Sequence, residues 1–417
     1  MFTGVEIIPE EELAVRRARC LALLRKHCPQ AGGLMVFSKV NIYYLTGAFA
    51  PGLFWLPLEG VPALAVRKAL ERVELESPST RAFAYKNYGQ IPDLLAEQGS
   101  PLPPVFAVEQ EGLSWSLGLN FSRNFKNYEL LPADMVIKQT RAVKTPWEAG
   151  KLRLAGRRHY QGMCEIFPQR VRVGMDGAGI SRLLWNIMLE LGHSGHIRMS
   201  AHGEESFLGH VAVGENSAYP SYYNGPLGFK GAHPAAGYMG YAGEVWTRDS
   251  FLATDVGFVL EGYNSDKSVF YFAGPPSSIP APARRAQDVC LEIQREIAAR
   301  LKPGAIPQDL YRLGLELASR HDLGEGFLGM GGNKVPFIGH GLGLQLDEWP
   351  ALADRFTEPL QENMFLAVEP KVVVPGLGML GVENSFLVTP GGGFCLTNLS
   401  GRADADDAGD IICVEAE

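Results

Sequence analysis

The sequence predicts an α+β protein of two domains, on three observations. Its 417 residues exceed the ~100–200 that one core usually serves. The first third alternates short apolar runs with helical stretches, which suits a small α/β domain over residues 1–137. From about residue 138 the order helix–helix–strands occurs twice, which predicts a second domain, 138–417, with two related halves sharing one sheet.

The elements follow in order. Residues 9–28, "PEEELAVRRARCLALLRKHC", open with Pro and three Glu and end basic, with apolar positions at helical spacing. The runs "GLMVF", "LFWLPLEGVPALAV" and "PVFAVEQ" read as strands between Pro- and Gly-rich turns. In "KTPWEAGKLR" Thr145 is the expected N-cap of a long helix, Pro146 its first residue and Glu148 the partner of a capping box. Further helices are expected near 176–191, 282–301 and 307–320. Strand-like segments follow each helix pair.

Composition narrows the function classes. Hydrophobic residues at 46% with 20% charged are those of an ordinary soluble protein with a sizeable core. A net charge of −8 argues against nucleic acid as a partner, because phosphate binding needs a clustered basic surface. No stretch approaches the ~18 apolar residues of a membrane span, and the first residues lack the pattern of a secretory signal. The six cysteines are scattered without a CxxC pair, which suits reduced thiols and a cytoplasmic location. The glycines of "GHGLGL" and "GMGGN" lack the strand–GxGxxG–helix context of a phosphate loop.

Two apolar segments carry carboxylates. In "FLATDVGFVLEGYNSDKSVF" they are Asp255 and Asp266; in "LAVEPKVVVPGLGMLGVENSFLV" they are Glu369 and Glu383. Charged groups in apolar strands are costly to bury unless paired or metal-bound. Each segment can fold as a hairpin with its two acids directly opposed, the second turning about Gly376 and the first between Leu260 and Glu261. Four clustered carboxylates need compensating cations. Two divalent ions would balance them, with His340 of "FIGHGLGLQLDEWP" as a neutral nitrogen ligand. Oxygen donors with one imidazole favour Mn, Co, Fe or Zn. The glycines beside His340 would let backbone approach the ions.

With those residues in view, the chain resembles the metallopeptidases of the pita-bread fold, a family that includes methionine aminopeptidase, Xaa-Pro aminopeptidase and Xaa-Pro dipeptidase. The matching pieces are "DVG…GYNSD", "GHGLGL…DEWP", "VEPKVVVPG" and "GVEN". "NIYYLTG" and "RAVKTPWEAGKLR" resemble the first domain and interdomain helix of the creatinase–prolidase branch. The resemblance implies a creatinase/prolidase-like N-terminal domain before a pita-bread catalytic domain. It places the dinuclear ligands on Asp255, Asp266, His340, Glu369 and Glu383, and makes Glu369 the proton shuttle. The implied activity is hydrolysis of an Xaa-Pro amide bond in short peptides, by a homodimer.

The chain departs from that pattern around the ligands. Ser221, followed by Tyr222 and Tyr223, stands where a substrate-facing histidine is usual, and His233 in the longer loop beyond is the candidate replacement. Asp347 stands for another histidine, and Gly381 for an arginine two residues before the last Glu. Ser221, Tyr222 and Asp347 are therefore the candidate substrate-side residues and His233 a candidate catalytic one. These departures keep two rivals in view: creatinase-like hydrolysis of a C–N bond in a small metabolite, and a non-catalytic binding protein on the same fold.

Overall fold

The computed structural model describes residues 3–200, 205–235, 237, 239–403, 409 and 411–415. The chain divides into two compact units, Met1–Arg141 and Ala142–Glu417. Helix Asp134–Ala142 runs through residue 137, so the compact units part slightly beyond that point.

The first unit is built on a six-stranded sheet. Its strands are β1 (Gly33–Val36), β2 (Gly52–Pro57), β3 (Ala63–Val66), β4 (Arg81–Ala84), β5 (Val105–Val108) and β6 (Glu129–Pro132), in the order β4-β3-β2-β1-β5-β6. The apolar runs become these strands because they are short, β-branched or aromatic, and bounded by Pro and Gly. Trp55 packs edge-on against Phe106 at 5.6 Å, and both are fully buried. Beyond β5 the buried Glu109 accepts hydrogen bonds from the Phe37 and Ser38 amides at 2.6 and 2.8 Å. A carboxylate there suits the start of helix Lys39–Thr46.

The second unit contains β7 (Ile197–Arg198), β8 (Glu205–Ser206), β9 (Gly209–Val213), β10 (Phe251–Leu260), β11 (Tyr263–Ala273), β12 (Phe337–Gly341), β13 (Glu348–Ala353), β14 (Phe365–Val368), β15 (Lys371–Val374), β16 (Gly378–Gly381), β17 (Asn384–Thr389), β18 (Gly392–Cys395) and β19 (Ile412–Val414). Helices Pro146–Tyr160 and Gly177–Glu190 precede the first strand group, and Ala281–Arg300 and Pro307–Arg320 the second. The repeated helix–helix–strands order is therefore present.

The single shared sheet is not. The strands form a four-stranded sheet, β19-β11-β10-β9, a five-stranded sheet, β13-β12-β14-β17-β18, and two short pairs. An isolated bridge between Ser268 and Glu383 is where the two larger sheets meet. The ladder breaks there because a side chain replaces it. The Ser385 hydroxyl accepts the Asp266 amide at 2.9 Å and donates to the Asp266 carbonyl at 2.7 Å. Both backbone groups are satisfied, as burial demands, without a continuous strand pair.

The two acidic hairpins also differ from each other. In β15–β16 Lys371 faces Gly381 and Val374 faces Gly378, so the turn centres on Gly376 as the sequence places it. The β10–β11 hairpin closes instead through a two-residue turn, Glu261 and Gly262, both at positive φ (52° and 89°). Such a turn matches the twist of paired strands, and it sets Asp255 opposite Ser268 and Asp266 opposite Gly257. The two aspartates are thus diagonal neighbours rather than directly opposed, although they share one face of the hairpin.

Helix Pro146–Tyr160 begins with the capping box read from sequence. Thr145 Oγ1 accepts the Glu148 amide at 3.2 Å, and Glu148 Oε2 accepts the Thr145 amide at 3.0 Å. Both residues are buried. Thr145→Ala should lower unfolding free energy by about 1 kcal/mol, measured by denaturant titration, with unchanged secondary structure in the folded protein.

Candidate metal centre

Five residues from separate strands and strand ends converge. Asp255 lies on β10, Asp266 on β11 and His340 on β12; Glu369 follows β14 directly, and Glu383 lies between β16 and β17. Strand alternation explains the grouping, since each acid occupies the inward face of its segment. Asp266, His340 and Glu383 offer donor atoms within 4.8 Å of one another, and Asp255, Glu369 and Glu383 form a second such group. Asp255 and His340 each keep 14% of their side-chain surface open, whereas Glu369 and Glu383 are almost wholly enclosed. The cluster therefore meets solvent on the Asp255–His340 side.

Lys371 stands among these acids. Its Nζ donates to Asp255 Oδ2 at 2.9 Å, Glu369 Oε2 at 2.9 Å and Glu383 Oε2 at 2.7 Å, and its side chain is fully buried. Balancing four carboxylates with external ions alone overlooks this cation. The signal was available, because Glu369 and Lys371 are two apart in an extended segment and so share a face.

Charge and burial set the protonation states. Burial works against the Lys371 ammonium, but Asp255, Glu369 and Glu383 together hold its pKa well above the usual lysine value. Burial likewise opposes ionisation of Asp255, yet the adjacent ammonium overrides it and holds that carboxyl well below the usual range. Asp266 feels the same ammonium without a hydrogen bond to it. Burial, then repulsion from Asp255, pushes it up to about 7. Glu383 is raised as well, by burial and then by Asp266. For His340, burial is outweighed by Glu369 and Asp266, and its pKa rises.

The donor set fits a divalent ion. Glu383 Oε1 is buried without a hydrogen-bond partner, while Oε2 takes the Ser268 hydroxyl at 2.7 Å as well as the lysine. His340 Nδ1 lies 3.2 Å from the Gly341 carbonyl. A proton there leaves Nε2 with its lone pair toward Asp266 and Glu369. Gly339 and Gly341 serve another purpose than approach to an ion. A Cβ at 339 would lie 2.2 Å from the Ala367 carbonyl oxygen, and one at 341 would lie 2.5 Å from that of Glu348. Neighbouring strands, not an ion, require those glycines.

The other candidate residues are placed differently. The Asp347 carboxylate accepts the Ser200 amide at 2.5 Å and lies close enough to His340 to favour its charged form. Ser221, Tyr222 and His233 lie on the loop beyond β9. Ser221 Oγ accepts the Tyr223 amide at 3.2 Å, Tyr222 is 99% exposed, and exposed His233 accepts the Ala235 amide through Nδ1 at 3.1 Å. Among the described residues, none of the three hydrogen-bonds or ion-pairs with the carboxylates. Gly381, at φ 142°, faces Lys371 across the β15–β16 pair. His210 is opposite Asp255 in the β9–β10 ladder and stacks on Phe229 at 3.8 Å. Burial holds its pKa down to about 4, so it is neutral.

Residues 150–390 match metallopeptidase family M24, more than half of the chain. The chain belongs to metallopeptidase family M24. Residues 16–143 of this metallopeptidase match the creatinase/prolidase N-terminal domain, and the second unit is the family's pita-bread fold. The metallopeptidase is 23% identical to an Xaa-Pro dipeptidase of Pyrococcus furiosus over 365 residues, covering 87% of this chain and 92% of that protein. It is 24% identical to an uncharacterized peptidase of Staphylococcus saprophyticus, covering 88% and 95%. Among solved structures, dipeptidase PepE of Mycobacterium ulcerans superimposes with a TM-score of 0.75 at 21% identity, covering 98% of this chain and all of that one. The X-Pro aminopeptidase of Thermotoga maritima gives 0.74 at 21% identity, covering 95% and 99%. These structures share the fold. Membership of the family implies divalent metal, and the donors above are suited to it. No helix among the described residues is long and apolar enough to cross a membrane.

Metal uptake should be tied to proton release. Below about 7 Asp266 holds its proton, which an entering ion must displace. Apparent Mn affinity should therefore climb as pH rises toward neutrality, as isothermal titration in buffers of different ionisation enthalpy would record. The metal-free protein should behave oppositely. A carboxyl with a raised folded-state pKa stabilises while protonated, and that contribution is lost as pH rises through about 7.

Proposed function

We propose that this metallopeptidase is an Xaa-Pro peptidase, a dipeptidase or aminopeptidase that cleaves the bond before proline in short peptides. The observation that carries the proposal is the convergence of Asp255, Asp266, His340, Glu369 and Glu383 on one partly open cluster. The similarity to an Xaa-Pro dipeptidase over 365 residues supports the substrate class. Mn, Co, Fe and Zn all suit oxygen donors with one imidazole, and the five residues are the proposed pool of donors for metal. When bound, a divalent ion supplies Lewis acidity and lowers the pKa of water at the centre.

The rest of the chemistry belongs to the chain. Glu369 has one oxygen held by Lys371 at 2.9 Å, while the other lies 3.5 Å from His340 Nε2. Fixed in this way, its carboxylate accepts a proton from attacking water and passes it to the leaving nitrogen. Prolyl nitrogen needs that proton, because an amine leaves and an amide anion does not. Asp347, near His340 and held by the Ser200 amide, is placed to attract the cationic amino terminus of a peptide. Ser221, Tyr222 and His233 remain proposed as substrate-side residues, with His233 as a proton donor. The cluster's retained donors weigh against the non-catalytic reading, and the dipeptidase similarity weighs against a creatinase-like substrate. A homodimer is part of the proposal and is checked by light scattering.

Metal-stripped protein restored separately with Mn, Co, Fe and Zn, then given Xaa-Pro and non-proline di- and tripeptides, tests the reading. Cleavage should need metal and be confined to Xaa-Pro bonds, and Asp266→Asn should lower kcat/KM by at least about 100-fold. Metal-dependent cleavage without proline preference would remove the substrate assignment. Wild-type kcat/KM in His233→Ala would remove that residue from the chemistry.

A further inference from the structure

We infer that the Lys371 ammonium is the resident cation of one half of this centre, so that the protein binds one divalent ion per chain, at Asp266, His340 and Glu383. The inference rests on reading the cluster as a metal centre, and it concerns how many ions that centre takes.

The lysine fills its place completely. An ammonium has three protons to donate, and all three have acceptors: Asp255, Glu369 and Glu383, at 2.9, 2.9 and 2.7 Å. These are the residues of the second donor group. An ion gripping the same oxygens at about 2.0–2.2 Å would share its ligands with a like charge beside it. Either the ammonium or the ion can hold that position.

The stem is built in as well. Lys371 starts β15, and its cross-strand neighbour is Gly381. A Cβ on Gly381 would lie 2.6 Å from Lys371 Cα and 3.1 Å from its Cγ, so the missing side chain opposite makes room for this one. The lysine side chain has no exposed surface. It belongs to the centre rather than reaching in from the rim.

The first donor group has the opposite character. His340 Nε2 stands 3.7 Å from Asp266 Oδ2, too far for a hydrogen bond. Donors about 2.1 Å from a common tetrahedral centre are themselves about 3.4 Å apart, which is the spacing of a coordination shell. Glu383 Oε1, buried without a partner, belongs to a residue of this group. Lysine and a single divalent ion then offset three of the four carboxylate charges.

Mn titration of the metal-stripped full chain decides the matter without peptide present, so a failure here is separate from a failure of Xaa-Pro cleavage. Elemental analysis after gel filtration should give one Mn per chain, and the electron paramagnetic resonance spectrum should be that of an isolated ion. Two ions per chain, a spin-coupled pair, or no bound ion would overturn the inference. Lys371→Met, close in volume and uncharged, should raise the count to two and yield the coupled spectrum. Lys371→Arg should keep the count at one. A folded Lys371→Met protein that still holds a single Mn would also overturn it, and if that variant does not fold, the wild-type spectrum decides.

Discussion

Everything around the centre depends on burying negative charge without losing the fold. Four carboxylates within one cluster would repel strongly in a low-dielectric interior. The Lys371 ammonium contacts three of them and has no solvent of its own. That contact fixes several other features. Asp255 stays ionised beside it, Asp266 without a hydrogen bond to it is pushed up to about 7 by burial and then by Asp255, and Glu369 has one oxygen pinned and one directed toward His340. The two aspartates differ chiefly because the ammonium hydrogen-bonds Asp255, whose ionised form His210 also favours, while Asp266 is raised by burial and by Asp255.

The scaffold serves that arrangement through polar side chains on helices and strands. Gln294, on helix Ala281–Arg300, donates to the Val368 carbonyl at 3.0 Å and accepts from Asn384 at the same distance. It thus holds the residue before Glu369 and the residue after Glu383 together. Asn384 also accepts from Lys267 Nζ at 2.6 Å, next to Asp266. Each link satisfies a buried polar group, and together they tie the strand ends that carry the acids to one another.

Much of this was legible in the sequence. Acids within apolar strands cluster as their burial demands, and the Thr145–Pro146–Glu148 cap forms as its residues predict. The Gly376 turn could be located because it is marked by Pro and Gly. The β10–β11 turn was not marked in that way: Glu261 takes a positive φ, which residue type does not announce. Sheet division was hidden for a similar reason, since nothing in "ENSF" reveals that the Ser385 hydroxyl will stand in for a backbone ladder. Lys371 is harder to read, because a lysine in a strand usually reaches solvent. Loop residues such as Tyr222 and His233 carried no periodic pattern from which to infer a position.

The alternation of β11 has a bearing on how this chain can vary in length. Successive residues of the strand point to opposite faces, and its pairing with β10 runs without a bulge from Phe251 opposite Phe272 to Leu260 opposite Tyr263. One residue inserted between the turn and Asp266 would swing that carboxylate to the far side of the hairpin. Two inserted residues would leave it facing the same way. Either change also displaces Asp266 along the strand from its place opposite Gly257, so the length of this hairpin arm is fixed by the centre it serves.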